Sequence, residues 1–370
     1  MYIINGDSLI EMQKLNSESI NLIFADPPYW MRTDGVLHRV EGTEFQGCND
    51  SWDKFESLED YEAFTLKWLS ECRRLLKPSG SIWVIGSMQC IYTIGSAMQK
   101  LGYWFINDVV WHKTNPTPNF MGTRLNNSHE TLIWAVKDRR AKFTFNYKTA
   151  KALNSDAQGL QIQMGSVWRF PVCSGSERLK DSEGRKLHST QKPIALLERI
   201  IAISSKIGDT VLDPFAGTMT TGAAAKKLGR KYIMIERDEN YCRYGQKRLD
   251  EIEFEDSEIS RAEFDIKPLR VTMPEMIEAG YFTVHEKFFL KDGRECAELL
   301  PDGKLLYCGE VMDMHSCAAR AKKLKAKRAN GFDFWHVLRN GQLVSIKIIR
   351  ENYRQKGSEN NGALRMESNG

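Results

Sequence analysis

Apolar and polar residues alternate along the first 250 positions in blocks that predict strands and helices in turn. Short apolar runs predict strands at 20–25, 81–85, 105–111, 132–136, 210–212 and 232–235. Apolar residues at helical spacing predict helices at 61–76, 193–205, 220–228 and 240–253. The turn Pro78-Ser79-Gly80 is expected to end the first of these helices. Such alternation favours an α/β fold with a doubly wound, mostly parallel, Rossmann-like sheet.

Beyond this region the pattern changes. Residues 137–187 lose the periodicity and are rich in basic side chains, which favours a functional insert over an idle loop. Near the C-terminus, short strand-like runs, one of them at 343–349, surround a helical stretch at 316–327. The predicted organisation is an α/β domain at 1–255 with the insert at 137–187, an acidic linker at 256–267, a small α+β domain at 268–354 and a disordered tail at 355–370.

The net charge of +4 on 370 residues is small, but it is unevenly distributed. Residues 1–249 carry 33 basic and 27 acidic side chains, 250–265 carry one and eight, and 266–370 carry 18 and 13. Eight scattered cysteines without a CxxC pair argue against a metal site or a disulfide framework. No run approaches the ~20 apolar residues of a membrane span, and no signal-peptide pattern is present, so a cytoplasmic protein is expected.

One candidate binding loop follows the predicted strand at 210–212. Asp213 is followed by Pro214, then by Gly217 and a helix rich in small residues, which lets a ligand approach the backbone closely. A carboxylate at this position repels a pyrophosphate but suits a cation such as S-adenosylmethionine. Glu236 ends the next strand, where an acidic side chain meets ribose hydroxyls. Taken without Glu236, the loop fits an ordinary strand–helix turn equally well.

A second candidate loop, Asp26-Pro27-Pro28-Tyr29, follows the predicted strand at 20–25. The two prolines remove two N–H groups, so carbonyl acceptors lie beside a carboxylate and an aromatic ring. Such a cluster suits a planar amino group such as that of adenine, with the ring stacked on Tyr29 and the N6–H bonded to Asp26 and to the carbonyl of Pro27. A proline-rich structural turn is the alternative for this loop alone.

These motifs, with others along the chain, resemble those of the β-class S-adenosylmethionine-dependent adenine-N6 DNA methyltransferases. The supporting stretches are 6–8, 24–30, 52–64, 81–87, 107–120, 129–134, 188–193 and 212–232. The chain is most similar to the cell-cycle-regulated and HinfI-type enzymes, which methylate adenine in GANTC. The resemblance implies a Rossmann-like methyltransferase sheet, transfer of a methyl group to N6 of a flipped adenine in double-stranded DNA, and no metal.

The resemblance also implies roles for individual residues. Asp26, Pro27, Pro28 and Tyr29 would bind and orient the target adenine. The implied cofactor-binding residues are Asp7, Thr190, Lys192, Asp213, Phe215, Gly217, Thr218, Thr220, Thr221 and Glu236. Within this set, Thr190 and Lys192 would hold the carboxylate end of the cofactor. Met219 departs from the pattern because the family has a second glycine there.

DNA contacts are expected from three regions: the segment 30–53, the insert at 137–187 and the small C-terminal domain. The candidates are Trp30, Arg32, Arg39, Trp52, Arg124, Arg178, His315, Asn330, Phe332 and Trp335. Residues 318–331 carry six basic side chains and no acidic one, which suits phosphate contact, although Trp335 fits a core position equally well. The positions 313–315 match a family strand motif, but Asp313 replaces its serine and would repel phosphate.

Several alternatives stay open at this stage. The chain is expected to act on double-stranded DNA, in association with the nucleoid, with a cognate restriction endonuclease and a homodimer as possible partners. A methyltransferase acting on RNA or on a protein amide is the alternative enzyme. A catalytically silent DNA-binding regulator is the alternative of another class, and it requires broken motifs that the sequence does not show beyond Met219.

Overall fold

The computed structural model describes residues 1–31, 36–38, 44–46, 53–119, 122–155, 159–266, 270–293 and 296–354. The chain divides into two compact units, Met1–Ile266 and Lys267–Gly370. In the first unit the strands are β1 Tyr2–Asn5, β2 Ile20–Ala25, β3 Val36–His38, β4 Glu44–Gln46, β5 Leu76–Gly86, β6 Trp104–Lys113, β7 His129–Val136, β8 Val167–Phe170, β9 Thr210–Asp213 and β10 Lys231–Glu236. Its helices are α1 Ser8–Gln13, α2 Leu58–Leu75, α3 Ile91–Lys100, α4 Tyr147–Ala152, α5 Ile194–Ser204, α6 Thr220–Lys227, α7 Glu239–Asp250 and α8 Glu258–Arg261.

An eight-stranded sheet is the centre of the first unit. Its strand order is β1-β10-β9-β2-β5-β7-β6-β8. The first five strands are parallel neighbours, β7 is antiparallel to both β5 and β6, and β8 is parallel to β6. Side chains of β2 alternate between two hydrophobic clusters, which also take in α5 and α6 on one face and α2 and α3 on the other. The predicted doubly wound, mostly parallel α/β sheet is confirmed.

The structure differs from the predicted elements in two places. The helix predicted to reach residue 76 ends at Leu75, and Pro78-Ser79-Gly80 lies inside β5 rather than in a turn. Gly80 is required there because an added Cβ would lie 2.9 Å from the carbonyl oxygen of Ile20 on the neighbouring strand. The insert at 137–187 also contains regular elements, α4 and the edge strand β8. Each is too short to show a periodicity in the sequence.

The second unit is an α+β structure around a six-stranded antiparallel sheet. Its strands are β11 Lys287–Leu290, β12 Cys296–Leu299, β13 Leu305–Tyr307, β14 Glu310–Met312, β15 Trp335–Arg339 and β16 Gln342–Ser345, in the order β14-β13-β12-β11-β15-β16. Its helices are α9 Met273–Glu278, α10 Met314–Ala321, α11 Gly331–Phe334 and α12 over residues 346–354. The strand predicted at 343–349 therefore ends at Ser345, where helix α12 begins.

Two other predictions for the second unit are wrong. Asp313 does not belong to a strand: it is the N-cap of α10, where its Oδ1 accepts hydrogen bonds from the backbone N–H of His315 and Ser316 at 3.0 and 3.2 Å. Trp335 does not offer a stacking face to DNA, because it is fully buried and its indole N–H donates to the carbonyl of Met314 at 3.2 Å. Aspartate is a favoured cap, and an indole with a satisfied N–H is stable in a core.

Candidate active site

A cavity of about 530 Å³ lies at the carboxyl ends of the parallel strands of the first unit. Loops that follow β1, β2, β9 and β10 converge there, which is where a doubly wound sheet binds its ligands. Predicted site residues that line it are Asp7, Asp26, Pro27, Pro28, Tyr29, Thr190, Lys192, Asp213, Phe215, Gly217, Thr218, Thr220, Thr221 and Glu236. The folded chain therefore brings both predicted loops to one cavity.

The Asp213 loop is held by its own carboxylate. Oδ1 accepts a hydrogen bond from the N–H of Phe215 at 2.9 Å, and Oδ2 accepts one from the hydroxyl of Thr221 at 2.5 Å. Asp213 is 2% exposed, and burial raises its pKa to about 7 against the opposing effect of these bonds. The side chain is thus a poorly solvated carboxylate that gains from a nearby positive charge.

Met219, the departure from the family pattern, is accommodated by a second glycine elsewhere. Its φ of 61° is left-handed, which explains why a glycine suits the position. Its side chain is fully buried and packs against Gly245 on α7. A Cβ added to Gly245 would lie 2.2 Å from Cγ of Met219. The loop therefore keeps the glycine-type backbone conformation, while Gly245 provides space for the methionine.

Glu236 binds the backbone of the Asp213 loop. Its Oε2 accepts a hydrogen bond from the N–H of Gly217 at 2.8 Å, and its Oε1 accepts one from the N–H of Asp238 at the same distance. Burial raises the pKa of Glu236. Each carboxylate oxygen retains a further lone pair, so hydroxyl donors in the cavity find acceptors already fixed in place.

Two further predicted residues line the same part of the cavity. Asp7 is the N-cap of α1, and its Oδ1 accepts a hydrogen bond from the N–H of Leu9 at 2.9 Å. The N–H of Thr190 donates to Nδ1 of His188 at 3.1 Å. His188 lies with its ring centroid 4.9 Å from that of Tyr241, and it faces Gly217, where a Cβ would be 3.4 Å from Nε2. His188 and Tyr241 were not predicted from the sequence as site residues.

Asp26 takes part in a buried network of charged groups. The ammonium of Lys192 donates to Oδ2 of Asp26 at 2.6 Å and lies 5.1 Å from the ring centroid of Tyr29. The hydroxyl of Tyr29 donates to Oε2 of Glu130 at 3.0 Å, and Lys113 binds Oε1 of Glu130 at 2.6 Å. That Lys192 holds the carboxylate end of a cofactor stays a prediction; in the structure its ammonium holds the carboxylate of Asp26.

The pKa shifts in this network favour the charged forms of Glu130 and Lys192, but not of Asp26. Burial raises the pKa of Asp26, and Lys192 opposes that effect. Burial also acts against ionisation of Glu130, but the ammonium groups of Lys192 and Lys113 outweigh it and hold the pKa of Glu130 below its usual range. Lys192 keeps its charge because the two carboxylates raise its pKa in spite of burial.

The backbone after Tyr29 is fixed by a residue 23 positions further along the chain. Trp30 has a left-handed φ of 51°, and Asp53 accepts hydrogen bonds from the N–H groups of Trp30 and Met31 at 2.6 and 2.7 Å. The ring of Trp30 stacks on Tyr61 at 5.8 Å, and the hydroxyl of Tyr61 donates to the carbonyl of Pro28 at 2.8 Å. The carboxylate of Asp53 is therefore part of the support for the Asp26–Tyr29 loop.

The remaining predicted DNA contacts are scattered. Arg32, Arg39 and Trp52 lie outside the described residues. Arg124 is exposed and donates to Oδ1 of Asn127 at 2.9 Å, and Arg178 is half-buried. Trp30 is half-buried against Tyr61. DNA contact by Arg124, Arg178 and Trp30 stays a prediction.

In the second unit the predicted contacts belong to one small cluster. The N–H of Gly331 donates to Nδ1 of His315 at 3.0 Å, and Asn330 donates to Oδ2 of Asp333 at 2.7 Å. Phe332 is 7% exposed, and the guanidinium of Arg350 lies 3.7 Å from its ring centroid. The stacking on DNA predicted for Phe332 is therefore corrected, because its ring is buried and Arg350 covers it.

Within the described ranges, no group of three or more His, Cys, Asp or Glu side chains is arranged to bind a metal ion. Across the part of the chain that the structure describes, every helix is too short or too polar to cross a bilayer.

The doubly wound sheet brings an Asp-Pro-Pro-Tyr loop and an acidic, glycine-containing loop to one cavity, which is the arrangement that the sequence resemblance to DNA methyltransferases predicts. The sequence profile of the DNA methylase family matches residues 20–247. The chain belongs to this family. The predictions of fold class, of family and of DNA-methylating activity are thereby confirmed.

Relatives support the assignment along most of the chain. The sequence is 47% identical over 351 residues to the Type II methyltransferase M.HinfI of Haemophilus influenzae, covering 95% of this chain and 96% of that protein. It is 38% identical over 251 residues to the Type II methyltransferase M2.DpnII of Streptococcus pneumoniae, covering 68% and 90%. Among solved structures, the PvuII cytosine-N4-specific DNA methyltransferase matches with a TM-score of 0.52 and 20% identity over 67% of this chain and 85% of that one, which concerns the fold alone.

Proposed function

We propose that this DNA methyltransferase transfers a methyl group from S-adenosylmethionine to N6 of an adenine in double-stranded DNA, within the sequence GANTC. The observation that carries the proposal is the placement of the Asp26–Tyr29 loop and of the buried carboxylates Asp213 and Glu236 around one cavity. The first group presents hydrogen-bond acceptors to an amino group, and the second suits a cationic nucleoside.

The residues of the cavity fit S-adenosylmethionine. The cavity has a volume of about 530 Å³, which lies in the usual range for small-ligand sites of roughly 300–1,000 Å³. Glu236 has fixed acceptor oxygens for ribose hydroxyls, and Asp213 is a buried carboxylate that a cationic headgroup stabilises in its ionised form. The other residues assigned to the cofactor are Asp7, Thr190, Phe215, Gly217, Thr218, Thr220 and Thr221. When bound, S-adenosylmethionine supplies an electrophilic methyl group.

The role proposed for the protein is to hold the target amino group and aim its lone pair. Adenine N6 is a weak nucleophile because its lone pair is delocalised into the ring. Asp26 and the carbonyl of Pro27 accept the two N6–H bonds and favour a more tetrahedral nitrogen, an effect worth a few kcal/mol in preorganised sites. Lys192 fixes Asp26 through the 2.6 Å bond. To reach this loop the base must leave the helix stack, and contact with Tyr29 offsets part of that cost.

The remaining proposals concern contact with DNA, partner proteins and the place of action. The exposed basic side chains between Lys322 and Arg328 are assigned to phosphate contact. The 47% identity to a Type II methyltransferase supports membership of a restriction–modification system, with a cognate endonuclease as the functional partner. The proposed place of action is the nucleoid, within the cytoplasm, where the DNA is. A homodimer is proposed as well, because two copies would give two basic surfaces for one duplex.

Methylome sequencing of a host that expresses this chain alone tests the base, its position and the recognition sequence together. N6-methyladenine confined to GANTC is the expected result, and methylation of cytosine or of another sequence contradicts it.

The Asp26→Ala variant is expected to bind cofactor normally and to lose nearly all methyl transfer; near-normal turnover contradicts the site assignment. A competition assay with double-stranded DNA, RNA and protein separates the alternative acceptors, and absence of cofactor binding favours a silent DNA-binding regulator.

A further inference from the structure

Glu130 connects two parts of the active site although it is not among the described residues that line the cavity. It lies near the start of β7 and pairs with Trp111 of β6. Its side chain is 12% exposed. One oxygen binds Lys113 at 2.6 Å; the other accepts the hydroxyl of Tyr29 at 3.0 Å and lies 3.9 Å from the ammonium of Lys192.

The charges of this network form a sequence of alternating sign. Lys113, Glu130, Lys192 and Asp26 follow one another with separations of 2.6, 3.9 and 2.6 Å between the charged atoms. Lys192, which is only 6% exposed, therefore lies between two carboxylates. Among the described residues, Asp26 is the other carboxylate within ion-pair distance of Lys192, so without Glu130 the position of the ammonium between two anions is lost. A buried charge depends strongly on partners in good geometry.

Glu130 also determines where the ring of Tyr29 lies. The phenol hydroxyl donates a hydrogen bond to Oε2 of Glu130, and the ring centroid lies 5.1 Å from the ammonium of Lys192. A shift of Glu130 thus moves a ring that borders the cavity and a lysine that holds Asp26. Glu130 therefore influences both groups assigned to the target base, Tyr29 directly and Asp26 through Lys192.

We infer that Glu130 is a positioning residue for methyl transfer. It holds Lys192 and Tyr29 so that Asp26 can accept the N6–H while the ring of Tyr29 contacts the target base. The inference rests on the proposed function, because it takes Asp26 as the group that accepts the N6–H. It assigns no contact between Glu130 and substrate or cofactor. Displacements of about 1 Å in such a site reduce rates by up to ~100-fold.

The test is Glu130→Gln, which keeps an acceptor for Tyr29 but removes the negative charge beside Lys192. We expect the rate constant of methyl transfer, measured in single turnover on a GANTC duplex, to fall by ~10–100-fold and kcat to fall with it, while Kd for S-adenosylmethionine and the steady-state KM for DNA stay within about threefold of wild type. The matched control is Glu198→Gln, which also removes one negative charge. Glu198 forms an ion pair of 2.8 Å with Lys227, and neither residue lines the cavity. The kcat of this variant should equal that of wild type.

Two additional variants leave Glu130 in place and test the same network through its partners. Tyr29→Phe removes only the hydroxyl that donates to Glu130 and should lower kcat by itself. Where Glu130→Gln is folded, the two losses should not add, because both variants weaken the same hydrogen-bonded network. Lys113→Gln removes the outer partner of Glu130 and should lower kcat less than Glu130→Gln. Unchanged kcat in soluble, folded Glu130→Gln overturns the inference, and so does a fully additive pair. Absence of DNA methylation by the wild-type protein overturns the proposed function instead.

Discussion

Asp53 binds the N–H groups of Trp30 and Met31 through both of its carboxylate oxygens, at 2.6 and 2.7 Å. The first of these residues follows Tyr29 directly and has a left-handed backbone, which costs a non-glycine residue on the order of 1 kcal/mol. Asp53 is 7% exposed, so the bonds are shielded from water. A buried carboxylate thus stabilises a strained turn at the end of the loop assigned to the target base.

We therefore expect Asp53→Asn to weaken this support. An amide retains one acceptor oxygen but directs an NH₂ group at a second N–H group, and an unsatisfied buried donor costs about 1–3 kcal/mol. The free energy of unfolding should fall by that amount, and kcat should fall while Kd for S-adenosylmethionine changes little. Chemical denaturation measures the unfolding free energy, steady-state kinetics measures kcat, and an equilibrium titration measures Kd. Wild-type values in both measurements would show that the loop keeps its conformation without Asp53.

The carboxyl group of Asp213 predicts an unusual pH dependence of stability. Burial raises its pKa to about 7 from an ordinary value of 3.8. Between these values the folded chain holds a proton that the unfolded chain has lost, so its contribution to stability falls as the pH rises from about 4 to 7. Asp213→Asn removes this dependence, and its unfolding free energy relative to wild type should increase with pH by up to the order of 4 kcal/mol. Denaturant titrations at pH 5, 6, 7 and 8 measure it, and parallel curves for the two proteins refute it.

The same group links pH to cofactor affinity. A cationic ligand favours the ionised form of Asp213, so in the wild-type protein the Kd for S-adenosylmethionine should rise as the pH falls below 7. Asp213→Asn should bind more weakly and with less change between pH 6 and 8. Calorimetric titration in two buffers with different ionisation enthalpies also reports the proton released on binding.

Met219 and Gly245 should be coupled energetically. Gly245→Ala places a Cβ 2.2 Å from Cγ of Met219, and the methionine is fully buried, so it cannot move into solvent. Overpacking of this kind costs about 1–3 kcal/mol, although alanine is normally the better residue in a helix. Met219→Gly frees the space and suits the left-handed backbone, but it leaves a cavity. In a double-mutant cycle the pair should therefore be less destabilised than the sum of the single variants. Strict additivity would contradict the contact.

Much of the fold was predictable from the sequence because its signals are local. The apolar run at Ile20–Ala25 and the periodic face of Leu58–Leu75 each span enough residues to show their period. The edge strand Val167–Phe170 has four residues and exists because it pairs with β6, so its pattern alone could not reveal it. Helix α12 overlaps the strand predicted at 343–349, because its apolar residues continue directly from β16.

The candidate site divides in the same way. Asp26 and Asp213 belong to short contiguous motifs that place them at strand ends, and they were predicted. Glu130 and Asp53 were not assigned to the site, because their contacts depend on chain segments brought together by folding, 101 residues apart for Glu130 and Tyr29. Lys192 was recognised as a site residue, but its partner was not, since its ammonium crosses 166 positions to reach Asp26. The stretch 129–134 was the available signal for Glu130, without indicating its role.

Basic side chains of the second unit should contribute directly to the salt dependence of DNA binding. Lys325 and Lys327 are exposed within a segment of six basic residues. If each neutralises one phosphate, Lys325→Gln with Lys327→Gln should reduce the slope of log K against log salt concentration by roughly 2. The control replaces Lys287 and Lys304, which are exposed in the same unit but paired with Glu298 and Asp302 at 2.6 and 2.8 Å. Anisotropy titrations from 50 to 300 mM salt distinguish the two, and equal slopes for both variants would show that the segment does not contact DNA.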